Sequence, residues 1–287
     1  GLAGEAISSI YFSSNHNKLI VGFVNGLIQV IEFNTSNIFS IYDIIDKTTI
    51  SPDSKRINNF NELDQHIYIS TDYGISVFNL DSLEFGDTFF IGISGAQVRV
   101  AETTVLGEYF YAACKDFEGI KRSLISSNLI DFNNWSEVFS GSFHAILSVE
   151  NSIYFSDQNK IYNIVNGIIS EVFTSNEIIK DIRYISDSFI ITTQNNTSTY
   201  DINFNSISTP IISSNFQTNF NAALFNSNNI YIATEDTGIL KLNSNNIDNY
   251  TAIYPEGPLD NNIFSIENFN NDLWVTFGEY SLYYNPH

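Results

Sequence analysis

Residues 18–33, KLIVGFVNGLIQVIEF, carry the pattern that decides the fold. Two alternating apolar runs flank Asn25-Gly26, a dipeptide suited to the positive φ of a tight hairpin turn. The segment therefore reads as a β-hairpin, and six further segments share its form. They are HIYISTDYGISVFNL from His66, YFYAACKDFEGIKRSLI from Tyr109, SIYFSDQNKIYNIVNG from Ser152, SFIITTQNNTSTYDINF from Ser188, NIYIATEDTGILKLN from Asn229 and DLWVTFGEYSLYYN from Asp272. Their starts lie 48, 43, 43, 36, 41 and 43 residues apart, close to the roughly 40 to 50 residues of a four-stranded propeller blade. Tyr73-Gly74, Glu118-Gly119 and Thr237-Gly238 take the place of Asn25-Gly26, while Gln158-Asn159 and Asn195-Asn196 substitute the next most tolerant residue.

A further apolar run precedes most hairpins, among them AISSIYF, RINNFNEL, FNAALFN and NIFSIENF, and is read as the innermost strand. Another usually follows, as IFSIYDI, DTFFIG, SEVFSG, ISEVFT or STPIIS, and is read as the outermost. A lone sheet of four strands leaves a face unburied, so such units must pack face to face. The expectation is an all-β fold, a seven-bladed β-propeller of four-stranded antiparallel blades forming a single domain over residues 1–287. Its blades would fall near 5–56, 57–97, 98–141, 142–176, 177–217, 218–260 and 261–287, the last incomplete because the sequence stops at Tyr283-Tyr284-Asn285-Pro286-His287. Gly1 and the lack of any Met read as a piece of a longer, multidomain polypeptide. Seven or eight blades remain open once flanking sequence is counted.

Composition agrees with strands: 24 Phe and 16 Tyr are flat side chains that fit a pleated surface. The formal charge of −20 repels phosphate backbones, which excludes nucleic acid as a partner and disfavours anionic membrane surfaces. No stretch has the apolar length of a spanning helix and none resembles a signal peptide. Cys114 is the sole cysteine, so no disulfide forms within the chain, and it reads as a small buried hydrophobe.

Motifs that carry chemistry are missing from the sequence. His16, His66, His144 and His287 stand apart, with no metal-ligand spacing. Gly92-Ile93-Ser94-Gly95 is not a nucleophile elbow, and no phosphate-cradling or calcium loop occurs. Asp72, Asp116, Asp157, Glu235 and Asp236 sit at turns, where capping is their ordinary role, and nothing in the sequence pairs them as catalytic carboxylates. Trp274 aligns with Tyr68, Tyr154 and Tyr231 and reads as a packing residue, whereas Trp135 follows Asn133-Asn134 in a loop and reads as structural or as a sugar platform. No catalytic, ligand-binding or metal residue is assigned, no cofactor is expected, and the chain is read as no enzyme.

Residues 255–284, PEGPLDNNIFSIENFNNDLWVTFGEYSLYY, resemble the two-component-regulator type propeller repeat, with its N-x-I-x-S-I run, its L-W-V and its glycine turn. The opening GLAGEAISSIYFSSNHNKLIVGFVNGLIQVI is a second copy. The ordered series KLIVGFVNGLIQVI, KRINNF, IYISTDYGISVFNLDSLEFGDTFFIG, LGEYFYAA with GIKRS, and NLIDFNNW resembles the N-terminal propeller of the PorZ family, accessory proteins of the Bacteroidetes type IX secretion system. That resemblance spans about Gly1 to Trp135. It implies export to the outer membrane surface or the periplasm, protein partners in the sortase-containing attachment complex, and a link to anionic lipopolysaccharide. The charge of −20 opposes that last ligand unless Lys55-Arg56 or Lys121-Arg122 supplies a basic spot.

The expected function is thus a non-enzymatic scaffold that docks partner proteins in protein transport. The recognition surface would comprise the loops Thr48–Lys55, Gly92–Ala96, Ser213–Asn219 and Glu256–Asn261. The alternative is the extracellular, glycan-sensing propeller of a hybrid two-component regulator. A glycosidase or lyase is the third possibility weighed.

Overall fold

A computed structural model describes residues 2–226, 228–254, 263–269 and 272–277. Each repeat folds as an antiparallel meander in sequence order. The first sheet is β1 (Ile7–Ser13), β2 (Lys18–Phe23), β3 (Ile28–Glu32) and β4 (Ile38–Ile41). The second is β5 (Ile57–Leu63), β6 (His66–Thr71), β7 (Gly74–Asn79) and β8 (Glu84–Phe89). The third is β9 (Val100–Leu106), β10 (Tyr109–Cys114), β11 (Ile120–Leu124) and β12 (Ser136–Phe139). The fourth is β13 (Ala145–Val149), β14 (Ser152–Ser156), β15 (Lys160–Val165) and β16 (Ile168–Thr174).

The fifth is β17 (Ile179–Ile185), β18 (Ser188–Thr193), β19 (Asn196–Tyr200) and the two-residue β20 (Ile211–Ile212). The sixth is β21 (Phe220–Asn226), β22 (Asn229–Thr234), β23 (Ile239–Asn243) and β24 (Asn246–Ile253). The last described sheet has two strands, β25 (Ile263–Phe269) and β26 (Asp272–Phe277).

The fold is an all-β propeller of six four-stranded blades, which corrects the expected seven. The physical reason is what the repeat signal measures. Sequence periodicity follows the buried inner strands, which recur seven times, but a blade also needs its outer pair. Among the described residues only six repeats have that pair, and β25 and β26 are the described strands of the seventh expected unit. The segment Tyr283 to His287 and the loop Glu256 to Asn261 lie outside the described residues.

The chain divides into two compact units, Gly1–Glu171 and Val172–His287. In the first, β1 packs beside β5, β5 beside β9 and β9 beside β13; in the second, β17 packs beside β21 and β21 beside β25. Within each unit successive first strands are therefore neighbours, and the fourth strands carry the solvent-facing side. Burial follows: β2 and β10 are buried along nearly their whole length, whereas β4 and β8 are mostly exposed. A strand covered on both faces must be apolar throughout, which explains runs such as Leu19-Ile20-Val21.

The core lies between sheets. Ile20, Ile28 and Val30 meet Ile57, Ile67 and Ile69 across the first interface, and Phe110 of the third sheet joins Ile75 and Val77 of the second. In the second unit Phe220 and Ile232 pack with Ile190. Each such side chain contributes about 1.5 to 3 kcal/mol by leaving water. A register shift recurs near the start of the inner strand, at Ile7/Ser9, Ile57/Asn59, Ile179/Asp181, Phe220/Ala222 and Ile263/Ser265. Bulges of this kind bend a strand and re-aim a side chain.

Candidate functional site

The connection between β10 and β11 shapes the most distinctive surface. The Cys114 amide donates to the Gly119 carbonyl (2.9 Å) and the Glu118 amide to the Lys115 carbonyl (3.1 Å), so Lys115 to Glu118 form a four-residue turn. Its central residues, Asp116 and Phe117, both take positive φ, 57° and 64°. Asp tolerates that conformation; a bulky aromatic residue does so at a cost of about 1 kcal/mol or more. The turn is pinned by the next blade's entry, since the Asp116 amide donates to Ser142 Oγ (3.1 Å) and the Gly119 amide to the Gly141 carbonyl (2.8 Å). Gly119 itself has φ of 76°, and a Cβ there would lie 2.5 Å from the Phe139 carbonyl oxygen. The outcome is a Phe117 side chain 83% exposed on a strained, well-anchored loop.

Beside it runs the loop Gly92–Ala96, which closes on itself through the Gly92 amide and Ala96 carbonyl (3.1 Å) and holds Ser94 at φ 57°. Ile93 at its tip is 82% exposed. Phe117 and Ile93 line a groove of about 550 Å³ together with Phe132 and Trp135, with Glu118, Lys121 and Glu137 as polar lining. Trp135 is fixed: its indole Nε1 donates to the Leu129 carbonyl (2.9 Å) and its ring stands edge-on to Phe110 at 5.9 Å. Of its two sequence readings, the structural one holds. Trp274 is half-buried on β26 opposite Glu267.

The expected basic spots are used internally. Lys55 is buried and donates to the Ile45 carbonyl (2.5 Å). Lys121 is buried and ion-paired to Glu118 at 3.2 Å, while the Arg122 guanidinium lies 4.6 Å from the centre of the Tyr109 ring. Among the loops, Gly92–Ala96 contributes to the groove; Thr48–Lys55 is tied down by Ile50 and Lys55 of the first interface. Ser213–Asn219 belongs to the second unit, where Asn219 bonds Glu235 (2.5 Å) and Thr218 bonds Asp236. Asp157 caps the amides of Asn159 and Lys160 (3.0 and 2.8 Å).

Asp72 and Asp116 are not scattered: Arg99 lies between them, with Nε 3.5 Å from Asp72 Oδ1 and Nη1 3.3 Å from Asp116 Oδ2. Sequence reasoning missed this arginine. The signal was available, because Arg99 follows Arg56 by 43 residues and Lys115 follows Asp72 by 43, one blade step in each case.

His16 holds Asp81 at 2.9 Å, His66 lies by the crevice lined by Asp87 and Ile130, and His287 lies outside the described residues. The imidazole of His144 is held below its usual range, first by loss of water contact and then by the charge of Lys115. Among the described residues no three His, Cys, Asp or Glu side chains converge as metal ligands, and no helix is long and apolar enough to cross a membrane. Cys114 is buried, and burial pushes its thiol up to about 12. That is the opposite of an activated nucleophile.

Antiparallel four-stranded meanders packed side by side, with a mixed polar and apolar groove edged by exposed hydrophobic side chains, define the chain as a β-propeller module. Residues 1–136 match the family model described as the TSS9, PorZ, N-terminal beta-propeller domain, which bears out the resemblance read from the same stretch of sequence. Among solved structures, PorZ of Porphyromonas gingivalis, described as an essential bacterial surface component of the type-IX secretion system, is similar at a TM-score of 0.68 and 16% identity, covering 98% of this chain and 37% of that one. The extracellular domain of a putative hybrid two-component system from B. thetaiotaomicron is similar at a TM-score of 0.70 and 14% identity, covering 96% and 39%. The computationally designed protein Ika8 is similar at 0.61 and 10% identity, covering 96% of this chain and 94% of that one. No curated protein matches the sequence. The chain spans less than two fifths of the length of the two natural structures, and the likeness to each is one of fold.

Proposed function

We propose that this propeller is a non-enzymatic docking module of a type IX secretion accessory protein, exported and working at the outer membrane surface. Its partners are proteins of the sortase-containing attachment complex, and the groove beside Phe117 and Ile93 is where one of them seats. The observation that carries this reading is the pairing of two almost fully exposed hydrophobic side chains with left-handed backbone at Phe117 and Ser94. Strain of this kind persists where surrounding structure over-determines it, and exposed aromatic anchors are the usual centres of binding energy.

The test is co-purification of the full-length protein with its sortase complex. Phe117→Asp and Ile93→Asp together are expected to abolish capture while leaving the melting temperature unchanged; retained capture overturns the reading. Exchange of the loops Thr48–Lys55 and Ser213–Asn219 is expected to leave capture intact. A screen of the purified chain on polysaccharides is expected to stay silent, and turnover of any of them removes the non-enzymatic part.

Lipopolysaccharide is the weaker of the two implied ligands, because Lys55 and Lys121 are buried and occupied within the protein. A glycan-sensing role is the second reading, favoured by the fold likeness to an extracellular domain of a hybrid two-component system. Flanking sequence separates the two: a membrane span and kinase domain fit sensing, a second propeller with a sorting domain fits secretion.

A further inference from the structure

The chain has twelve lysines and arginines against thirty-two acids, so where each cation is spent matters. Ten of them make a hydrogen bond, an ion pair or a ring contact, from Lys18 on Glu32 to Lys241 over Tyr231. Arg56 and Lys115 are the two whose side chains make none among the described residues. They are also neighbours. Each occupies a fixed place in the blade repeat: Arg56 and Arg99 immediately precede the inner strands β5 and β9, while Asp72 and Lys115 immediately follow β6 and β10. The same backbone bond ties each pair together, from the Asp72 amide to the Arg56 carbonyl (3.3 Å) and from the Lys115 amide to the Arg99 carbonyl (2.9 Å). Arg99 then bridges the blades by reaching Asp72 and Asp116.

We infer that Arg56, Lys115 and Arg99 form a receptor for one carboxylate group on an acidic peptide segment of the docking partner. Three cations face two carboxylates, which leaves one formal positive charge, and the side chains of Arg56 and Lys115 make no direct hydrogen bond or ion pair among the described residues. That balance suits a monoanion; a doubly charged phosphate meets Asp72, Asp116 and a chain at −20. An arginine beside a lysine offers the forked and point-charge donors that a carboxylate accepts together. Burial first, and then the guanidiniums of Arg99 and Arg56, hold the Lys115 ammonium below its usual range against the opposing pull of Asp72 and Asp116. A polypeptide is favoured over a uronate because the same short turn that carries Lys115 also presents the exposed apolar side chain of Phe117. This inference rests on the docking reading above.

The test acylates the purified chain with an N-hydroxysuccinimide acetate and follows each lysine by mass spectrometry. Lys115 is expected to react faster than the ion-paired Lys121. The tripeptide acetyl-Leu-Glu-Leu-amide is expected to slow that reaction about tenfold at roughly nine times its dissociation constant, since only the free site reacts. Its glutamine counterpart leaves the rate unchanged, and Arg56→Gln removes the protection without shifting the melting temperature. Equal protection by both peptides, no protection up to the solubility limit, or protection by trigalacturonate in place of the peptide each overturns the inference. Capture of the sortase complex separates it from the docking reading. Loss of capture in Phe117→Asp alongside full capture in Arg56→Gln/Lys115→Gln overturns the carboxylate site alone, whereas intact capture in Phe117→Asp overturns the docking face.

Discussion

The turn of the second blade and the turn of the third begin alike and end differently. Thr71-Asp72-Tyr73-Gly74 and Cys114-Lys115-Asp116-Phe117-Glu118-Gly119 join the same two strands of their blades, and each has an aromatic residue shortly before a positive-φ glycine. Tyr73 is fully buried, its Oη 2.7 Å from Ser76 Oγ and its ring 6.3 Å from that of Phe90. Phe117 is almost fully exposed. Two additional residues between the paired ends account for the difference, because the longer loop carries its aromatic side chain past the blade interface and out into water. One aromatic residue holds the blades together; the other stands in water.

That contrast is open to direct attack. Tyr73→Ala is expected to destabilise the protein by about 4 kcal/mol in urea unfolding, as a buried ring and its hydrogen bond are lost, whereas Phe117→Ala stays within about 0.5 kcal/mol. Equal effects would dissolve the distinction. Gly119→Ala is expected to lose about 2 kcal/mol, since the new Cβ meets the Phe139 carbonyl at a left-handed φ. Phe117→Gly, which relieves the strain next door, is expected to gain about 1 kcal/mol by the same measurement.

Cys114, at the root of the exposed turn, is expected to resist iodoacetamide at pH 8 until the chain unfolds, because burial holds its thiol near 12; rapid labelling of the native protein would show the turn opening. The smallest effect concerns His144. Its folded pKa is depressed, so between that value and the ordinary 6.5 the unfolded chain binds more protons, and stability falls as pH drops through this window. His144→Gln is expected to flatten that part of a melting temperature against pH curve.

The inner architecture was readable because a strand covered on both faces must be apolar along its length and a turn must carry Gly or Asn. HIYIST and NIYIAT satisfy the first demand, and Gly74 and Gly238 the second. Outer strands face water on one side and carry a weaker pattern, so β24 is not legible in the sequence, and seven inner repeats read as seven blades, the last incomplete, where the structure has six of four strands. The turn of the third blade was placed at Glu118-Gly119, but the backbone reverses at Asp116-Phe117; nothing in KDFEG announces that a phenylalanine takes the left-handed conformation. Adjacent basic pairs are the plainest sign of a charged spot in a sequence. Alternation along a strand splits such pairs, since neighbours such as Lys121 and Arg122 point to opposite faces, one buried against Glu118 and the other on Tyr109. The grouping of Arg56, Arg99 and Lys115 instead comes from positions one blade apart, visible only after the repeats are aligned.

Every described sheet is built from strands in strict sequence order, so no strand waits for a distant partner. Contact order is therefore low within a blade, and each meander can close as soon as its own forty-odd residues are free of the ribosome. Assembly then becomes a sequence of early local steps followed by one late lateral association. A lesion inside one blade should delay that association without scrambling the blades already made.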